Sequence, residues 1–69
     1  MSHLIRVNGQ QEELTAATVL ELLRAKGIDP SGRFVAVAVN GAVVPRRDWM
    51  TARVGADDNI EIVRPMSGG

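Results

Sequence analysis

The chain ends Arg64-Pro65-Met66-Ser67-Gly68-Gly69, on a bare α-carboxylate carried by two residues without side chains. A terminal carboxylate is ionised at neutral pH and can act as an oxygen nucleophile toward an activated phosphate. Gly68 and Gly69 have no Cβ, so such a stem can pass through a channel too narrow for other residues. The competing reading is a frayed terminus, the usual state of chain ends. Other residue types with chemical potential offer less. His3 is the sole histidine, and nothing near it in the sequence completes a nucleophile, base and orienting group. Asp57-Asp58 lacks the further oxygen ligands that a cation needs and reads as a solvated turn, so no metal site is expected. Arg46-Arg47 is a short basic step suited to solvent or an acidic partner, and Trp49 reads as a lid on the core. No catalytic residue is expected, and nothing in these residues favours an enzyme.

Composition narrows the partners. With 69 residues the chain is long enough for one small core. Eight Lys and Arg balance eight Asp and Glu, which argues against nucleic acid and anionic membranes and toward a protein or small-molecule partner. There is no cysteine, hence no disulfide framework, no thiolate metal site and no sulfur nucleophile of the chain's own. No segment has the apolar length of a signal peptide or a membrane span, so a cytoplasmic location is expected.

The elements that must position the terminal carboxylate follow from local signals. His3 to Val7 meets Asn8-Gly9, a pair favoured where both turn residues need positive φ, and Gln10 to Leu14 returns as a second extended segment. Thr18 and Glu21 have capping-box spacing, Val19, Leu22 and Leu23 share one helical face, and Gly27 follows Lys26 as a stop, which predicts a helix over Val19 to Lys26. Phe34 to Val39 is rich in β-branched residues and ends in a second Asn-Gly, Asn40-Gly41, from which Ala42-Val43-Val44 returns until Pro45. Arg46 to Val54 lacks a period, with a short helical turn expected at Asp48-Trp49-Met50, and Ile60 to Val63 is the last strand. Two hairpins around one helix and a final strand predict an α+β fold, a mixed five-stranded sheet with one main helix packed on one face. The domain is expected to span 1-65 and the tail 66-69.

Strand parity assigns the faces. Arg6 and Glu61 mark the outer side of their strands, so Ile5, Val7, Ile60 and Ile62 point to the core, and Val35, Val37 and Val39 are assigned there too. Leu4, Ala36, Ala38 and Val63 are left on the outer face, where no helix is available to cover them. They are the expected docking patch for a partner.

The stretches Ile5-Arg6-Val7-Asn8-Gly9, Val35 to Gly41, Val43-Val44-Pro45-Arg46 with Trp49 after it, and Ile60-Glu61-Ile62-Val63 leading to Gly68-Gly69 together resemble the ubiquitin-like, β-grasp sulfur carriers of the ThiS family. The likeness covers the whole chain and rests on the joint order of its pieces, not on any one of them. It departs at Gly55, which is separated from the last strand by four residues, and at Pro65-Met66-Ser67 in the tail. The resemblance implies that a ThiF-type adenylating enzyme uses ATP and Mg²⁺ as its own co-substrates to activate the Gly69 carboxylate. Gly68 is then the residue that threads the tail. Sulfur from a cysteine desulfurase relay converts the acyl-adenylate to a thiocarboxylate, which the thiazole synthase ThiG draws on to build the thiazole of thiamine. The alternatives are the small subunit of molybdopterin synthase and a ubiquitin-like interaction domain without carrier chemistry.

Overall fold

The structure, a computed structural model, describes residues 3–64. The elements in chain order are β1 (Leu4–Val7), β2 (Gln10–Glu13), α1 (Val19–Ala25), β3 (Ala36–Val39), β4 (Ala42–Val44), a 3₁₀ turn (Arg46–Asp48) and β5 (Asn59–Val63). One sheet holds all five strands in the order β2-β1-β5-β3-β4. β1 and β5 run parallel, and the other neighbours are antiparallel. The strand that comes last in sequence therefore lies at the centre of the sheet. A mixed sheet of this order carrying a single helix is the ubiquitin-like β-grasp arrangement.

Both hairpins form through their Asn-Gly pairs. Asn8 and Gly9 have φ of 50° and 83°, and Asn40 and Gly41 have 52° and 84°. Two consecutive positive φ values match the twist of the flanking strands, and asparagine and glycine adopt them at least cost. The helix begins at the predicted cap: Thr18 Oγ1 accepts the Glu21 amide at 3.2 Å. Glu21 Oε1 reaches back to the Ala17 N–H at 3.2 Å, one residue beyond the partner a capping box would use. The remaining free amides of the first turn find carbonyls in the connection after β4, Val19 donating to Ala52 and Leu20 to Trp49, each at 3.0 Å. That connection is thereby bound to the start of α1. At the other end Ile28 N–H donates to Leu23 O and Gly27 N–H to Arg24 O, the pair of bonds of a Schellman stop, with Lys26 as the cap residue.

The core lies between α1 and one face of the sheet. Ile5, Val7, Ile60 and Ile62 are buried, as strand parity predicts, and meet Val19, Leu22 and Leu23 of the helix. Burying a side chain of this size is worth about 1.5–3 kcal/mol each. Val37 is buried from β3, while Val35 and Val39 are half-buried against the cluster. Trp49 closes one side as the expected lid, 3% exposed, its Nε1 donating to Val44 O at 2.9 Å. Two local expectations shift. β3 starts at Ala36, not Phe34, because Arg33 and Phe34 are taken up in a turn; and the short helical turn sits at Arg46–Asp48, directly behind Pro45, which starts such a turn well because its fixed φ suits the residue before it.

Candidate functional site

The expected functional residues follow the C-terminal end of β5 in sequence. Gly68 and Gly69, and the tail 66-69, lie outside the described residues, so the observable part of the site is the root from which they leave. β5 is hydrogen-bonded on both sides, to β1 and to β3. Each of its ends is also held by an asparagine of one hairpin turn. Beyond the last residue of β1, Asn8 continues the pairing with its side chain: Oδ1 accepts the Ile62 N–H at 2.8 Å and Nδ2 donates to Ile62 O at 3.2 Å. Its backbone N–H donates to Ile60 O at 2.9 Å. At the opposite end Asn40 Oδ1 accepts the Asn59 N–H at 2.9 Å, and Asn40 N–H donates to Asn59 O at 2.7 Å. Asn40 Nδ2 donates to Asp58 Oδ1 at 3.0 Å, while Asp58 Oδ2 accepts the Gly55 N–H at 2.7 Å. Asp58 is thus a structural part of the turn that starts β5. Among the described residues no group of three or more His, Cys, Asp or Glu side chains is placed to hold a metal ion.

An open cleft of about 620 Å³ lies at the root of the tail, with Val7, Ile28 and Ile62 in its lining and Lys26 and Arg64 among its charged residues. Lys26 Nζ is paired with Glu12 at 2.7 Å. His3, by contrast, is exposed at the start of β1, far along the sheet from this end.

The four residues of the expected docking patch do not form one cluster. Ala36 and Val63 are direct cross-strand partners, and Ala38 follows them on β3 opposite Glu61. Leu4 is level with Asp57, whose N–H donates to Leu4 O at 2.7 Å. Val63 lies six residues further along β5, which at strand rise is roughly 20 Å away. Parity places residues on a face; it says nothing about height along the sheet until the register is known. The position that sequence reasoning missed is Val43, paired with Ala38 across the second hairpin and 75% exposed. A two-residue turn at Asn40-Gly41 fixes that register, so the signal was present in the turn length. The apolar outer surface near the tail is therefore Ala36, Ala38, Val43 and Val63.

Arg46 also has a role the basic-step reading did not reach. Its guanidinium lies 4.7 Å from the centre of the Trp49 ring and donates to the carbonyls of Pro30 and Gly32. It ties the loop after α1 to the connection after β4. In the same loop the Ser31 hydroxyl donates to Asp29 Oδ1 at 2.7 Å and the Ser31 N–H at 2.9 Å. These two bonds, with the Arg46 charge as a lesser contribution, hold the Asp29 carboxyl below its ordinary value.

No helix among the described residues is long and apolar enough to cross a membrane. Comparison with known proteins adds the relationship that geometry alone leaves open. The crystal structure of the thiamine biosynthesis protein ThiS from Geobacter metallireducens is similar to this chain with a TM-score of 0.76 and 30% identity, over 96% of this chain and 99% of that one. A solution structure of a thiamine biosynthesis protein from the same organism gives a TM-score of 0.75 at 30% identity, covering 96% of this chain and 87% of that one. Curated protein sequences give no match. The sequence profile of the ThiS family matches residues 5–69, from the second residue of β1 to the terminal glycine, and on that span the chain belongs to the ThiS family.

Proposed function

We infer that this chain is a sulfur carrier for thiazole formation in thiamine biosynthesis, acted on by other enzymes and itself without a catalytic residue. The observation that carries this reading is the placement of β5: a strand held on both sides and at both ends leads directly into a Gly-Gly terminus, in a member of the ThiS family. Rigid support up to Ile62 and a stem without side chains beyond Ser67 suit a terminus that must enter another protein's active site.

The chemistry proceeds in three steps. The Gly69 carboxylate attacks the α-phosphate of ATP in a ThiF-type enzyme; an acyl-adenylate forms and pyrophosphate leaves. Mg²⁺, held by that enzyme with the nucleotide, offsets the charge on the phosphates. A carboxylate resists nucleophiles because resonance spreads its charge, whereas the adenylate offers a carbonyl with AMP as leaving group. The terminal sulfur of a persulfide from a cysteine desulfurase relay displaces AMP to form an acyl disulfide. A thiol then cleaves that S–S bond, forming a disulfide with the relay's sulfur, and the product is a Gly69 thiocarboxylate for ThiG. Gly68 provides the clearance for the approach, and Ala36, Ala38 and Val63, extended by Val43, are the surface on which the adenylating enzyme docks. Leu4, at the far end, belongs to a different part of any interface. This reading places the carrier in the cytoplasm, with the nucleotide and the thiol relay.

Incubation with a ThiF-type enzyme, ATP, Mg²⁺ and a sulfur donor is expected to change the intact mass by the replacement of one oxygen by sulfur. Deleting Gly69, or Gly68→Val, is expected to abolish adenylate formation while circular dichroism and thermal unfolding stay unchanged. Normal adenylation of the truncated chain would overturn the reading.

A further inference from the structure

A second surface is built in a way that the carrier chemistry does not require. Phe34, the sole phenylalanine of the chain, is 70% exposed. It stands in an open cleft of about 810 Å³ lined by Pro30, Ser31, Arg33, Phe34 and Arg46. A small domain with two aromatic side chains gains most by burying both, and Trp49 is buried while Phe34 is not. The walls are held in place by Arg46, through its bonds to Pro30 O and Gly32 O and its stacking on Trp49, and by the Ser31 bonds to Asp29 Oδ1. Gly32 belongs to this tight loop: a Cβ there would stand 3.1 Å from Val35 Cγ2 and 3.2 Å from Asp29 O.

The charged side chains that line the cleft have one sign. Arg33 and Arg46 line it, and the neighbouring carboxylate, Asp29, is turned to the Ser31 N–H and hydroxyl and lies near Arg46, not among the lining residues. Arg46 is already engaged with two carbonyls, whereas no carboxylate pairs with Arg33 among the described residues. In a chain whose formal charges cancel, an unpaired guanidinium beside an exposed ring selects a partner that brings a carboxylate next to an apolar side chain. A fixed wall lowers the ordering cost of binding it. The cleft lies at the tail end of the sheet, since Phe34 precedes by two residues Ala36, the partner of Val63.

We propose that this cleft is a docking site for an acidic, apolar protein segment, with Phe34 as the anchor, Arg33 as the carboxylate contact and Arg46 as the residue that positions the wall. The proposal does not depend on the terminal carboxylate, so the chain lacking Gly69 binds equally well.

The test is a titration of the ¹⁵N-labelled chain with a short blocked peptide carrying aspartates around a leucine and a tryptophan. Amide shifts are expected at Ser31 to Phe34 and at Arg46. Binding falls roughly tenfold for the asparagine counterpart of the peptide, and by a similar factor for Phe34→Ala or Arg33→Glu, the scale on which a buried anchor or a charge contact is felt. The spectra of both variants show directly whether the fold is kept, which the exposure of both side chains leads us to expect. Equal binding of the two peptides, or shifts confined to Ala36, Ala38, Val43 and Val63, overturns the proposal. So do shifts on raising the concentration of the chain alone, which assign the cleft to a second copy, and shifts with anionic vesicles in place of the peptide, which assign it to a lipid surface.

Discussion

The two Asn-Gly turns share a dipeptide and a backbone geometry, yet they hold β5 by opposite ends and in different surroundings. Asn8 bonds Ile62 where the contact is partly buried and the strand is about to become the tail. Asn40 bonds Asn59 where the contact is exposed and the strand begins, with Asp58 as a third member. One turn supports what leaves the domain, and the other starts the strand. The same local solution to a hairpin therefore carries two different long-range duties, and the side chain, not the backbone, divides them.

The comparison can be broken most sharply with Asn8→Ala. It removes two bonds to Ile62 and puts a Cβ-bearing residue with no polar group at a φ of 50°, so a loss of about 2–4 kcal/mol in urea unfolding is expected. Asn40→Ala is expected to cost less, about 2 kcal/mol, because water replaces its exposed bonds. Equal losses would mean that backbone strain alone matters. Asn8→Gly and Asn40→Gly sharpen the test by keeping the turn and removing only the side chain, with expected losses of about 1–2 kcal/mol and at most about 1 kcal/mol. Hydrogen exchange on the same pair is expected to speed up at the Ile62 amide in the first variant and at the Asn59 amide in the second. The Asn8→Gly chain should also be adenylated with a raised KM, and Asn40→Gly should not.

The smallest effect is expected in the loop that neither turn touches. Because the folded Asp29 carboxyl is held below its ordinary value of 3.8, its contribution is present above that pH and is lost as pH falls through the lowered folded value. Asp29→Asn should flatten the acid limb of the stability profile by lowering stability slightly at neutral pH, and should leave the strongly acid end nearly unchanged. A loss of the same size at the acid end, where the carboxyl is protonated, would point to the hydrogen-bond geometry rather than the charge.

These contrasts also show what a sequence can and cannot reveal. The turns at Asn8 and Asn40 are legible because positive φ is a local demand, and the inward set Ile5, Val7, Ile60 and Ile62 is legible because a strand has period two. That Asn8 reaches Ile62 is not legible, since it depends on the parallel pairing of β1 with β5 across 54 positions. The same gap put Leu4 in a patch with Val63: the face was right, but height along the sheet comes only with register. Arg46 looked like a solvated charge because the carbonyls of Pro30 and Gly32 that it binds are brought to it by the fold. The last strand was legible from its alternation, Ile60 and Ile62 facing inward on either side of Glu61.

The central position of β5 has a consequence for biosynthesis. Because the middle strand of the sheet follows the other four in sequence, β1 and β3 have open facing edges until β5 has been made. A nascent chain is then expected to stay unfolded on the ribosome until Asn59 to Val63 has cleared the exit tunnel. A chain truncated before Asn59 should remain sensitive to protease, while one ending after Arg64 resists it. Compactness would then report that a chain has been made at least as far as β5.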